Sequence, residues 1–146
     1  GIPAKEARAL AHLSGGRVGR ALSLHTTPAL WSEYTSTLND LQRLLETGPI
    51  GRFAYARAYA EKRPLVRELL RVWLSFWRDV LLASLDARAP LVNLEFAASI
   101  QALAAALPSR TILHVLAAHQ RTLDLIDRNA NLRLALEVLM LDLPHT

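Results

Sequence analysis

Cysteine is absent from all 146 residues, which excludes disulfides, thiol catalysis and thiolate metal sites and is compatible with a reducing compartment. Val, Ile and Thr are too few and too scattered to supply a sheet, so an all-β or doubly wound fold is excluded. Long apolar runs are missing as well. The longest uncharged run, 96–109, has 14 residues and contains Gln101 and Pro108, short of the roughly 20 apolar residues of a spanning helix. No basic region followed by an apolar run opens the chain, and residue 1 is Gly rather than Met, so a fragment of a longer protein without a membrane segment is expected. Low-complexity tracts and self-similarity at a period of about 20–50 residues are also absent, which argues against a solenoid.

What fills the chain instead is helix-forming: 30 Leu and 23 Ala among 146 residues. With 51% of residues apolar, one domain has enough material to bury a core without staples, and disorder is not the dominant state. The net charge of +4 rests almost wholly on 15 Arg, there being only 2 Lys. Most Arg residues have an acid three or four places away, as Glu68 with Arg71, Arg133 with Glu137 and Asp124 with Arg128. That is the pattern of a solvated helix surface, and it predicts that the positive charges are not gathered on one face.

Helical periodicity runs the length of the chain. Pro3, Ala7, Leu10 and Ala11 predict a helix over 3–14, stopped by Gly15 and Gly16, and a second short one follows over 17–25. Thr26-Thr27-Pro28 then reads as a cap and restart, and Leu30, Tyr34, Leu38, Leu41 and Leu45 form one stripe after it. Gly48-Pro49-Ile50-Gly51 reads as a turn, with a further helix around Phe53, Ala56 and Tyr59 up to Lys62. In 64–86, Leu65, Leu69, Val72, Trp73, Phe76, Trp77, Val80 and Leu81 occupy most of the circumference, which predicts a helix covered on nearly all sides. Three helices are expected over 94–107, 109–129 and 131–143, with Ser109 and Asn131 as N-caps and Pro108 and Pro144 as stops. The expected fold is an all-α bundle preceded by two short helices, with a boundary at 26/27.

Chemistry-bearing constellations are scarce. His114 and His119 are five apart, about 140° around a helix, and are poor co-ligands for a metal. His12, His25 and His145 fall near helix ends or the terminus. Glu95, Asp124 and Asp127 are the acids nearest the His pair in sequence, and no Ser stands in a nucleophile-elbow context, so neither an enzyme nor a metal or cofactor site is expected. Ser14-Gly15-Gly16-Arg17-Val18-Gly19-Arg20 has the look of a phosphate loop but lacks the Lys-Ser/Thr pair and follows a helix rather than a strand. Trp31, Trp73 and Trp77 read as core or subunit-interface anchors, with Trp73 and Trp77 taken into the expected interface. The last helix is apolar on two sides. Leu132, Leu136, Leu139 and Leu143 form one stripe and Leu134, Val138 and Leu141 the other, for which a partner subunit is a natural cover.

Three segments in order then match a known family. The opening Ala9-Leu10-Ala11-His12-Leu13-Ser14-Gly15-Gly16-Arg17-Val18-Gly19-Arg20-Ala21-Leu22 resembles the lid segment of bacterial clamp-loader subunits, the delta prime type of DNA polymerase III in particular. Phe76-Trp77-Arg78-Asp79-Val80-Leu81-Leu82 followed by Leu91-Val92-Asn93 resembles the family's middle signature, and 129–141 is similar to its closing helix. The resemblance implies the end of an ATPase-type lid over 1–26, with Ser14, Gly15, Gly16, Arg17, Gly19 and Arg20 as its signature, and a helical collar over 27–146. It implies a cytoplasmic protein whose partners are gamma/tau-type and delta-type subunits, and indirectly the sliding clamp and primed DNA. Relatives that hydrolyse ATP carry a lid Arg in a Gly-Ser-x-Arg-Asp context. Gly19 stands at that position here, with Arg20 one residue away, which favours the non-hydrolysing delta prime type over gamma/tau. The reading from the residues alone leaves open a helical regulator with a small-ligand pocket on the aromatic-rich helix.

Overall fold

A computed structural model describes residues 28–86, 88 and 90–146; the two short helices expected over 3–25 and the lid signature at Ser14, Gly15, Gly16, Arg17, Gly19 and Arg20 lie outside the described residues. Among the described residues there are six α-helices and no strand: α1 (Pro28–Leu45), α2 (Pro49–Ala58), α3 (Arg63–Leu85), α4 (Ala97–Ala106), α5 (Ser109–Asp127) and α6 (Leu132–Asp142), with a 3₁₀ turn at Leu94–Phe96 leading into α4. The all-α bundle expected from composition and periodicity is what forms.

Helix α3 is the central element. α1, α4 and α5 pack on it, and α6 closes the bundle by packing on α2 and α5. Val66, Leu70, Trp73, Phe76, Trp77 and Val80 of α3 have no solvent exposure, and Leu38 and Leu41 of α1, Ile100 of α4, Ile112 of α5 and Leu139 of α6 are equally enclosed. The cover expected all round α3 fails at its ends. Leu65 is 48% exposed in the first turn, and Leu82 and Leu85 are exposed in the last two, because they share the outward face with Glu68, Arg71 and Arg78, whereas Val66 and Ala83 in the same turns are buried.

Boundaries in α2 and α5 differ from the sequence expectation. Gly48-Pro49-Ile50-Gly51 is a helix start rather than a turn: Pro49 opens α2, where its fixed φ suits the helix and its missing N–H is not needed, and the Arg52 N–H donates to Gly48 O at 3.1 Å. The helix also ends at Ala58 rather than Lys62. At α5 the capping residue is Pro108, whose carbonyl accepts from Thr111 and Ile112, so Ser109 is the first helical residue instead of the cap. Asn131 caps α6 as expected, its Oδ1 accepting from Leu134 N at 2.9 Å. The turn before it is closed by Asn129 at φ 61°, with Ala130 N donating to Leu125 O and Asn129 N to Ile126 O, the left-handed ending that Asn tolerates.

Candidate subunit interface

The closing helix is positioned by a buried arginine. Arg52 of α2 lies 6% exposed. Its Nε donates to Leu44 O at 2.9 Å, Nη1 to Met140 O and Leu143 O at 3.0 and 2.7 Å, and Nη2 to Pro144 O at 2.8 Å. One guanidinium thus satisfies carbonyls that the ends of α1 and α6 leave without helical partners. Burial lowers the Arg52 pKa from its usual value. No carboxylate is needed, because four carbonyl dipoles face the charge. Thr146 N donates to Leu45 O at 2.9 Å and ties the chain end to α1. Arg63 repeats the device on α5, donating to Ile126 O and Ala130 O at 2.8 and 2.7 Å.

With both its ends fixed, α6 sorts its side chains cleanly. Leu132, Leu136, Leu139, Met140 and Leu143 are buried against α2 and α5, at 5% exposure or less. Leu134, Val138 and Leu141, spaced four and three apart, stand 59%, 45% and 66% exposed. This outer stripe is continued by a shallow cavity of about 160 Å³ between α2 and α6, where Pro49 and Phe53 meet Leu141, and Ile50 beside it is 88% exposed. Polar pairs border the stripe: Arg133 with Glu137 at 2.9 Å, and Asp142 with His114 and Arg121, both at 3.3 Å. An apolar strip with a charged margin, carried on a helix that cannot swing, is the anatomy of a docking surface between proteins.

Trp73 and Trp77 do not belong to that surface. Both have zero exposure: Trp73 donates its Nε1–H to Thr37 O at 2.9 Å, stacks on Tyr55 with centroids 5.9 Å apart and meets His119 edge-on, while Trp77 meets Phe76 edge-on at 5.6 Å. The correction follows from position on α3: both rings lie on its inward face, Trp73 against α1, α2 and α5 and Trp77 near His119 of α5, while the outward face at this level carries the exposed Arg71 and Arg78. Trp31 is half-buried against Tyr34.

A second buried constellation joins the two halves of the middle signature. The Asp79 carboxylate, 1% exposed on α3, accepts from the backbone N–H groups of Val92 and Asn93 at 3.0 and 2.7 Å and from Asn93 Nδ2 at 2.8 Å. Asn93 Oδ1 in turn accepts from the Tyr34 hydroxyl of α1, whose pKa is raised by burial first and then by the negative charges of Asp79 and Glu95. The chain Tyr34, Asn93, Asp79 pins the connection after α3 and locks α1 to it. His119, fully buried on α5, gives its Nδ1–H to Val115 O at 2.8 Å, while its Nε2 and the nearby Trp77 Nε1 have no partner. His114 is exposed near Asp142, so the two histidines do not converge, and among the described residues no group of three or more His, Asp or Glu side chains is placed to hold a metal ion. No helix among the described residues is long and apolar enough to cross a membrane.

Comparison with known proteins assigns the bundle. Residues 28–145 match the family model described as DNA polymerase III, delta subunit, C terminal. No curated protein and no solved structure gives a significant match.

Proposed function

The chain belongs to the family of C-terminal domains from the delta subunit of DNA polymerase III, a clamp-loader component, and from that footing we propose that it is the lid end and collar of a delta prime-type subunit. In this reading 1–26 close an ATPase-type lid and 27–146 form the collar, which holds gamma/tau-type and delta-type subunits in a ring in the cytoplasm so that the sliding clamp is opened and set on primed DNA. The domain positions its neighbours and performs no chemistry. The observation that carries the reading is the outer stripe of α6: Leu134, Val138 and Leu141 are exposed on a helix whose opposite face is sealed into the bundle and whose end is fixed by Arg52. A rigid apolar strip beside a shallow cavity suits a permanent neighbour better than a passing one. Gly19 in place of the lid Arg, with Arg20 adjacent, supports the delta prime type over gamma/tau. Reconstitution tests it. The chain mixed with gamma/tau-type and delta-type subunits is expected to elute as one complex and to compete with an authentic delta prime subunit for its place, leaving delta bound. Failure to join the complex, or displacement of delta instead, overturns the assignment.

A further inference from the structure

Spacing along the sequence pairs the arginines with acids and predicts no gathered positive face, but the fold gathers four cations from three separate segments. Arg57 at the end of α2, Lys62 and Arg63 at the turn into α3, and Arg133 in the first turn of α6 line one open groove of about 590 Å³, with Glu61 the one acid among its lining residues. With Glu61 and the Glu137 that pairs with Arg133 both counted, two positive charges are left in excess there. Arg63 is held by its two carbonyl bonds, which use one hydrogen on each Nη and leave the others free. Arg133 is engaged through Nε to Glu137, so its two Nη groups are free to donate. The Lys62 Nζ lies over the Tyr59 ring, 5.2 Å from its centroid, which holds the ammonium without neutralising it.

We propose that this groove binds the phosphate backbone of a nucleic-acid strand. Three of the four cations are Arg, whose planar donors match phosphate oxygens in pairs. The groove is open to solvent, so its cations can be reached by a flexible chain. Its apolar lining is the exposed Ala58, the half-buried Ala60 and the buried Leu132, and it lacks exposed large anchors by which an acidic peptide would be gripped. The surface lies beside, not on, the outer stripe of α6, and the site needs no other protein.

The test uses the full chain alone, so its outcome is separate from that of ring assembly. A fluorescent single-stranded oligonucleotide is titrated at low salt and followed by anisotropy. Saturable binding that weakens steeply as salt rises is expected. The Arg57→Glu/Arg133→Glu double variant should bind at least tenfold more weakly with a shallower salt dependence, and the neutral pair Arg57→Ser/Lys62→Ser should show the same loss in smaller measure. Arg88→Glu/Arg110→Glu, at the opposite ends of α3 and α5, should bind as the wild type does. Thermal melting confirms that each variant is folded, and the neutral pair decides the matter if charge reversal unfolds the chain. The proposal is overturned by absence of binding, by equal losses in the groove and control variants, or by a polyglutamate peptide that binds as tightly as the oligonucleotide.

Discussion

Arginine outnumbers lysine 15 to 2, and two of the arginines show why the exchange is not neutral. Arg52 reaches four carbonyls on two helix ends with one planar group, and lysine has neither the reach nor the donor geometry for that set. Replacing Arg52 with Met leaves the buried Met140 and Leu143 carbonyls without its donors, while Leu44 O keeps the Thr47 N–H, at a cost of about 3 kcal/mol, and Arg52→Lys is expected to lose nearly as much. Urea unfolding measures both, and a loss below about 1 kcal/mol would show the network to be dispensable. His119 makes the complementary prediction. Burial lowers its pKa from 6.5 to about 4, against the opposing effects of the Val115 carbonyl and the Asp142 charge. The unfolded chain therefore takes up a proton below about pH 6.5 while the folded chain does so only below about 4. Stability from this residue is complete above 6.5 and falls by about 3 kcal/mol as the pH drops to 4. Unfolding measured across that window should show a steeper fall in the wild type than in His119→Leu; parallel curves would mean that the buried ring does not govern it.

At the level of elements, α6 and the connection after α3 carry the account. The two stripes of α6 and its Asn131 cap are written in local spacing and are legible in the sequence, whereas the turn before it is not: the periodicity carries the preceding helix to 129, and the structure ends it at Asp127 with Asn129 at positive φ. The interior of α3 is equally legible from its aromatic run, but whether Trp73 and Trp77 face a core or a partner depends on which helices surround them, and spacing does not record that. Arg52 is illegible for the same reason: three of its partners lie 88 to 92 residues away, and nothing near it marks it as buried. Gly48-Pro49 is ambiguous in principle, because the residues that make a turn also start a helix. The Asp79 and Asn93 pair is visible as a motif, and its chemistry becomes visible only when the loop folds back. Asn93→Ala removes one donor to Asp79 and the acceptor of the Tyr34 hydroxyl, so it should destabilise the chain by about 2 kcal/mol. Hydrogen exchange should then rise first in 90–96 and the facing turn of α1. An increase spread evenly over all helices would contradict a local lock.

At the scale of the whole molecule, the described helices close around a single core. That core runs from α1 through α3 to α6 and is closed by the Arg52 network. On the outer face of α6, Leu134, Val138 and Leu141 form one exposed apolar stripe, with Ile50 and the cavity at Phe53 beside it, while Leu65, Leu82, Leu85 and Leu113 stand exposed on other helices. Because that face supports no core contact, a substitution there separates assembly from folding. The decisive measurement is Leu134→Glu, carried through thermal melting and through association with the gamma/tau-type and delta-type subunits on the same preparation. The melting temperature should stay within a few degrees of the wild type. Association should weaken on the order of a hundredfold, because an unpaired carboxylate desolvated at an interface costs several kcal/mol. A variant that unfolds, or one that folds and still assembles at wild-type affinity, would contradict the assignment of α6 as the collar's contact with its neighbour.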